Sequence, residues 1–135
     1  MIQESQEKCP CGIGIAYSAC CAPFIEGADN APTAEKLMRS RYTAFTRAAI
    51  DYLMKSHHSS TRPVREKNSI RQWTQSVQWI GLTVINSDAG QANDNTGMVE
   101  FKAVYMEEGQ LKAIHEQSLF RKEKGMWYYV SGQHY

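Results

Sequence analysis

The sequence predicts an α+β fold, with helices packed on one face of a curved antiparallel sheet of about four strands. Three observations predict it. Between Pro32 and Leu53 apolar residues recur at three- and four-residue spacing, the period of a helix with one buried face. After Ser76 the chain becomes a series of runs rich in β-branched and aromatic residues, separated by turn residues. The helices precede the strands instead of alternating with them, which points to hairpins covered by helices on one side.

The chain of 135 residues, 42% hydrophobic and 21% charged, can bury a core without cross-links. A net charge of +1 provides no global attraction for nucleic acid or an anionic membrane, so neither is expected as a partner. No apolar run approaches the ~18–20 residues needed to cross a bilayer. The opening "MIQESQEKCP" is polar and lacks the apolar stretch of a signal peptide. A cytoplasmic location is expected, and there thiols stay reduced.

All four cysteines, Cys9, Cys11, Cys20 and Cys21, lie in "CPCGIGIAYSACC". Disulfides suit this spacing badly, because adjacent or nearly adjacent cysteines close strained rings. Two close pairs separated by a short loop can instead surround one tetrahedral zinc ion with four thiolates. Such a site has no open coordination position, so the zinc is structural and activates no water. Buried or reactive thiols and a disulfide are the weaker alternatives. Gly12 and Gly14 suit a tight metal loop, and their amides are expected to donate to sulfur. Tyr17 and Ile15 are expected to form an apolar lid.

Thr33 is placed to cap the first long helix, with Glu35 in its first turn. Leu37, Met38, Tyr42, Phe45, Ala49 and Leu53 form its buried face, and "MKSHHSSTRP" ends the helical region. A shorter helix is predicted from about Val64 to Thr74. The strands are "VQWIGLTVIN", "MVEFKAVYM", "LKAIHEQSLFRK" and "MWYYVSGQ", with "SDAGQANDNTG" as a long loop. If Glu108 and Gly109 form a two-residue turn, Phe101 lies opposite Glu116, Ala103 opposite Ile114 and Val99 opposite Ser118. If "KEKG" is a four-residue loop, Phe120 faces Trp127, Ser118 faces Tyr129 and Glu116 faces Ser131.

Alternation then collects Val99, Phe101, Ala103, Tyr105, Ile114, Phe120, Trp127 and Tyr129 on one face, with Glu116 and Ser118 in its middle. A carboxylate there needs a partner, and Arg39 and Arg41 on the first helix are the candidates. Two readings stand: a buried Glu–Arg pair fixing helix on sheet, or the polar floor of a pocket formed by Arg41, Phe101, Glu116, Ser118 and Tyr129. His115 points to the opposite, polar face and reads as a surface residue. His57 and His58 follow a helix C-terminus and read as caps ahead of cleft residues. His134 lies near the end of the sequence and carries little information.

"CPCG", Gly14, Tyr17 and "CC" resemble the SEC-C zinc motif, known from the C-terminal tail of the SecA translocation motor. Ile13 and Ile15 stand where that motif usually has Ser and Lys, and Ala16, Ser18 and Ala19 replace its flanking lysines. With "CCAPFIEG", "APTAEKLMRSRYTAF", "STRPVRE" and "HEQSLFRKEKGMWYYVSGQ", nearly the whole chain resembles the YchJ family of bacterial proteins. The resemblance implies a SEC-C zinc knuckle over residues 1–27 and a nuclear-transport-factor-2-like domain over 28–135. Folds of that kind are cone-shaped and often hold a ligand where Glu116 falls. No Ser–His–Asp order, phosphate loop or second metal cluster is visible. The expected function is a non-catalytic binding or interaction module, with a protein or small molecule as its partner. The alternatives are a small-molecule enzyme using Glu116, and an adaptor to protein translocation or the ribosome by analogy with the SecA tail.

Overall fold

The computed structural model describes residues 7–135; residues 1–6, on which much of the reading of a polar N-terminus rests, lie outside the described residues. A one-turn 3-10 helix at Tyr17–Ala19 and a short helix α1 (Ala22–Ile25) follow the cysteine loop. The helices α2 (Ala34–Thr46), α3 (Ile50–Lys55) and α4 (Lys67–Ser76) come next. Then β1 (Gln78–Ala89), β2 (Thr96–Glu107), β3 (Gln110–Glu123) and β4 (Met126–His134) form one antiparallel sheet in the order β1-β2-β3-β4. This is the α+β arrangement that the patterning predicts.

Thr33 caps α2 as expected: its hydroxyl accepts from the Lys36 amide at 3.1 Å. The helical region is not continuous, however. Ala48 takes a positive φ of 54°, which ends α2 and lets α3 turn away while Leu53 still reaches the core. The apolar period runs through the break, so the periodicity alone conceals it. Val64–Glu66 forms a 3-10 turn that leads into α4.

The β2–β3 register is the predicted one, with Val99 opposite Ser118, Phe101 opposite Glu116 and Ala103 opposite Ile114. The β3–β4 register differs from expectation. Lys124 and Gly125, with φ of 53° and 80°, form a two-residue turn like Glu108–Gly109, so Phe120 faces Tyr129 and Lys122 faces Trp127. A bulge between Leu119 and Phe120 then sets Ser118 opposite Gly132 and Glu116 opposite His134. The predicted long loop after β1 is also shorter, because Asp88 and Ala89 still pair with Met98 and Gly97.

Ala34, Leu37 and Met38 of α2 pack on Val99, Phe120 and Trp127 of the sheet, and the Trp127 indole donates to the Pro32 carbonyl at 3.2 Å. Burying Leu37, Met38, Val99 and Phe120 contributes roughly 1.5–3 kcal/mol each. A second cluster joins Cys9, Cys11 and Cys21 to Tyr42 and Ala103, so the cysteine loop packs directly against α2 and β2. Among the described residues no helix is long and apolar enough to cross a membrane.

Candidate metal centre and inner cavity

The Cys9–Ile15 loop is short and tightly bonded. The Cys9 amide donates to the Ile15 carbonyl at 2.9 Å, and Lys8 bridges to Ala16. Gly12 sits at φ 84°, a conformation that a side chain would strain. Its amide donates to the Cys9 carbonyl at 3.2 Å, so it holds the loop shut instead of bonding sulfur as expected. Ile15 is exposed and forms no lid, whereas Tyr17 packs against the cluster beneath the Arg47 guanidinium, 3.8 Å from the ring centre.

The four Sγ atoms lie within 4.8 Å of one another, and all four thiols are free. Cys11 and Cys20 are 3.7 Å apart and Cys20 and Cys21 3.9 Å, far longer than a disulfide. Four sulfurs at ~2.3 Å from a common centre would be separated by about 3.8 Å, so this donor set fits a tetrahedral ion. Crowding divides the protons unevenly: Cys11 and Cys21 hold Cys9 well below the usual thiol range, while burial pushes Cys20 up to about 12. Hydrogen bonding to Cys11 and Cys9, with burial, raises Cys21 as well. Four thiolates can coexist here only around a cation, and the cluster can hold a metal ion.

One stripe of α2 secures this loop. Arg39 donates to the Cys11 carbonyl at 2.8 Å, and Thr43, one turn on, is buried between Cys9 and Cys21. Its hydroxyl donates to Cys21 Sγ at 3.4 Å and lies 3.5 Å from Cys9 Sγ. Arg47, a further turn along, covers Tyr17. Arg39 is therefore committed to the cysteine loop and to Glu35 at 3.0 Å, away from Glu116.

Between α2, α4 and the concave face of the sheet lies a cavity of about 250 Å³, reached by Arg41, Phe101, Glu116, Ser118 and Tyr129. The expected direct Glu116–Arg41 ion pair is not formed. Arg41 is buried and donates to the Leu53 carbonyl at 2.9 Å and Ser56 Oγ at 2.6 Å, with its guanidinium 4.6 Å from the Tyr129 ring centre. Burial lowers its pKa to about 10, so it stays charged at neutral pH. Glu116 instead accepts from Ser118 Oγ at 2.6 Å and Tyr129 OH at 3.0 Å, both on Oε2, while Oε1 faces His134 Nε2 at 3.3 Å. Burial, then the Glu116 charge, raises the Tyr129 pKa, so its phenol keeps its proton and serves as a donor.

Comparison with known proteins places this architecture. Residues 33–132 match the family described as YchJ, middle NTF2-like domain. The chain belongs to the YchJ family. It is 43% identical over 124 residues to UPF0225 protein GSU1048 of Geobacter sulfurreducens, covering 92% of this chain and 77% of that one. It is also 43% identical over 126 residues to UPF0225 protein YchJ of Shigella dysenteriae, covering 93% and 82%. Two solved structures have the same fold. The solution structure of a SEC-C motif containing protein from Rhodopseudomonas palustris superposes with a TM-score of 0.84 at 32% identity, over 93% of this chain and 96% of that one. The crystal structure of a SEC-C motif containing protein from Psychrobacter arcticus gives 0.82 at 30%, over 96% and 84%.

Several residues of this YchJ-family site escape a reading of the sequence. His134 meets the buried Glu116 because the β4 bulge brings it opposite. Gly132 leaves room for that carboxylate: a Cβ there would stand 1.9 Å from Glu116 Oε2. His57 does not cap α3. It lines the cavity, edge-on to Tyr129 with ring centres 4.9 Å apart, and burial followed by the Arg41 and Arg62 charges lowers its pKa to about 4. His58 is buried between Ser60 Oγ at 2.7 Å and Glu123 at 3.2 Å. His115 keeps to the outer face as expected and pairs with Glu100 at 2.7 Å. Trp73 and Trp79, centroids 5.3 Å apart, form the far wall of the cavity. Trp79 lies in the aromatic-rich run that marks β1 in the sequence; nothing in the sequence signals that Trp73 of α4 converges on it.

Proposed function

We propose that the protein is a zinc-structured, cytoplasmic binding module without catalytic activity, which takes a small molecule in its inner cavity. The observation that carries the metal assignment is the set of four sulfurs within 4.8 Å of one another, three of their residues buried. Zinc is the ion of choice, because four thiolates in tetrahedral geometry suit its coordination. With every position filled by cysteine, the ion would act by holding the loop against α2 and not by activating water. The cavity supports the binding half: it is concave, largely apolar and carries a few convergent polar groups. The engagement of Glu116 with Ser118, Tyr129 and His134 favours binding over acid–base chemistry. An adaptor role like that of the SecA tail gains no support from the knuckle surface, where the exposed Ile13 and Ile15 stand in place of polar and basic residues.

Native mass spectrometry of untagged protein, purified under reducing conditions without chelator, tests this reading. One zinc per chain is expected, together with a co-purifying small-molecule mass that denaturation releases. A mass short by two or four hydrogens, with no metal, would mean disulfides and overturn the zinc assignment.

A further inference from the structure

A buried charge without a counter-charge stands on the wall of the inner cavity. Only 9% of Arg41 is exposed, and it stays charged at neutral pH. Its partners are the Leu53 carbonyl and Ser56 Oγ, both on Nη1, and the Tyr129 ring; among the described residues none is a carboxylate. Glu116, the one acid on the cavity lining, is held by Ser118, Tyr129 and His134 instead. Burying a charge is costly unless a counter-charge and hydrogen bonds satisfy it.

The free edge of Arg41 opens into the cavity. Nε and Nη2 have no hydrogen bond among the described residues, and the one fully enclosed side-chain nitrogen or oxygen without a partner is Trp79 Nε1. The Arg41 atoms are therefore not sealed in protein, and the open space that this residue lines is the cavity. Met38, Arg41, Tyr42 and Phe45 recur at three- and four-residue spacing, so one stripe of α2 presents them all to that space. The Tyr42 hydroxyl on this stripe is likewise without a hydrogen bond among the described residues and adds a second uncommitted donor.

Geometry, charge and volume then select the ligand. Nε–H and one N–H of Nη2 form a flat fork that a carboxylate matches with two parallel hydrogen bonds. A phosphate brings three acceptor oxygens and up to two charges, more than one guanidinium edge satisfies. Arg62 adds a second positive charge nearby, its Nε donating to the His57 carbonyl at 3.0 Å, while His57 itself is neutral at pH 7. Against these two cations stands the Glu116 charge, so the site balances with one further negative charge and not with two. The rest of the wall is apolar: Phe45, Trp73 and Trp79 meet edge-on or tilted, with centroids 5.3–6.5 Å apart. A cavity of about 150 Å³ accepts benzene, so the about 250 Å³ here adds room for a short chain and its carboxylate.

We propose that the cavity binds a monocarboxylic acid with one aromatic ring on a short chain, its carboxylate on the Nε–Nη2 edge of Arg41 and its ring among Phe45, Trp73 and Trp79. This deepens, and rests on, the reading of the cavity as a binding pocket.

The test uses the metal-loaded full chain and three probes of one shape: phenylpropionate, its neutral amide, and the cationic phenylpropylamine. Calorimetry is expected to show phenylpropionate binding about tenfold or more tighter than the amide, the scale of a hydrogen bond to a charged group, with the amine weakest. In ¹⁵N-labelled protein phenylpropionate should move the Arg41 Nε–H signal downfield. Arg41→Gln should erase the preference for the acid, and the wild-type ranking and signal decide the matter if that variant does not fold. Equal binding of acid and amide, a preference for the amine, an Arg41 signal left in place by bound acid, or a preference that survives in folded Arg41→Gln would overturn the carboxylate assignment and leave the pocket standing. No binding of any probe at millimolar concentration would overturn both.

Discussion

The cysteine loop and the polar end of the cavity lie on either side of α2, yet they are built in opposite ways. Four metal-capable sulfurs come from thirteen consecutive residues, Cys9 to Cys21, and the chain needs only a tight loop to bring them together. The Glu116 cluster draws Arg41 from α2, His57 from the segment after α3, Ser118 from β3 and Tyr129 from β4. One site therefore depends on local backbone geometry and metal charge. The other depends on strand register, where a slip of one residue turns a side chain to the opposite face.

Stripping any metal from the cysteine loop should have the largest effect. Structural zinc in finger peptides is worth roughly 10–16 kcal/mol, and here the cysteines share a core with Tyr42 and Ala103. Chelation, or Cys11→Ser, is expected to cost several kcal/mol and to lower the thermal midpoint of the whole chain, as followed by circular dichroism. A transition unchanged from wild type would mean that the loop is energetically separate from the sheet.

Gly132→Ala comes next. The new Cβ would overlap Glu116 Oε2 at 1.9 Å and approach Tyr129 OH at 2.8 Å. Overpacking of this kind costs about 1–3 kcal/mol, so urea titration should show that loss while any metal bound by the cysteine loop stays at the wild-type amount. Thr43→Val is the reciprocal probe. It keeps the shape but removes the hydroxyl between Cys9 and Cys21. Metal affinity should fall about 10–100-fold, as for other groups that support metal ligands, and competition with a chromophoric chelator would measure it. Cavity binding should be untouched.

The smallest effect concerns pH. His57 is held neutral, with its pKa lowered from the usual 6.5 to about 4, first by burial and then by Arg41 and Arg62. Below 6.5 the unfolded chain binds this proton more readily than the folded one, so stability is lost as pH falls from 6.5 towards 4. His57→Gln should flatten that part of the stability–pH curve relative to wild type. Parallel curves for the two proteins would show that His57 is not buried in solution.

The same contrast explains what could be read from the sequence. The cysteine set, the Thr33 cap, the antiparallel order and the β2–β3 register all rest on short-range signals: spacing, capping chemistry and one Glu-Gly turn. Glu116 and Ser118 could be placed in the middle of the apolar face by alternation alone. Their true neighbours could not. The two-residue turn at Lys124 and Gly125 moves β4 two positions along β3, and the Leu119/Phe120 bulge, which has no sequence signature of its own, moves it one more; together they exchange Ser131 for His134 opposite Glu116. Arg41 was drawn to Glu116 by charge, but open helix-end groups at Leu53 and Ser56 claim its Nη1 first. The break at Ala48 is equally silent, since alanine ordinarily favours a helix.

The stripe of Arg39, Thr43 and Arg47 bears on how portable the cysteine loop is. A peptide cut from this chain at residues 7–27 would keep all four sulfurs and the Cys9–Ile15 clasp. It would lose the hydroxyl wedged between two of the sulfurs, the guanidinium on the Cys11 carbonyl, the cation over Tyr17 and the apolar bed of Tyr42 and Ala103. Grafted onto another scaffold, such a loop would bring its ligands but leave behind much of the surface that makes them converge. A successful transplant would have to carry one side of α2 with it.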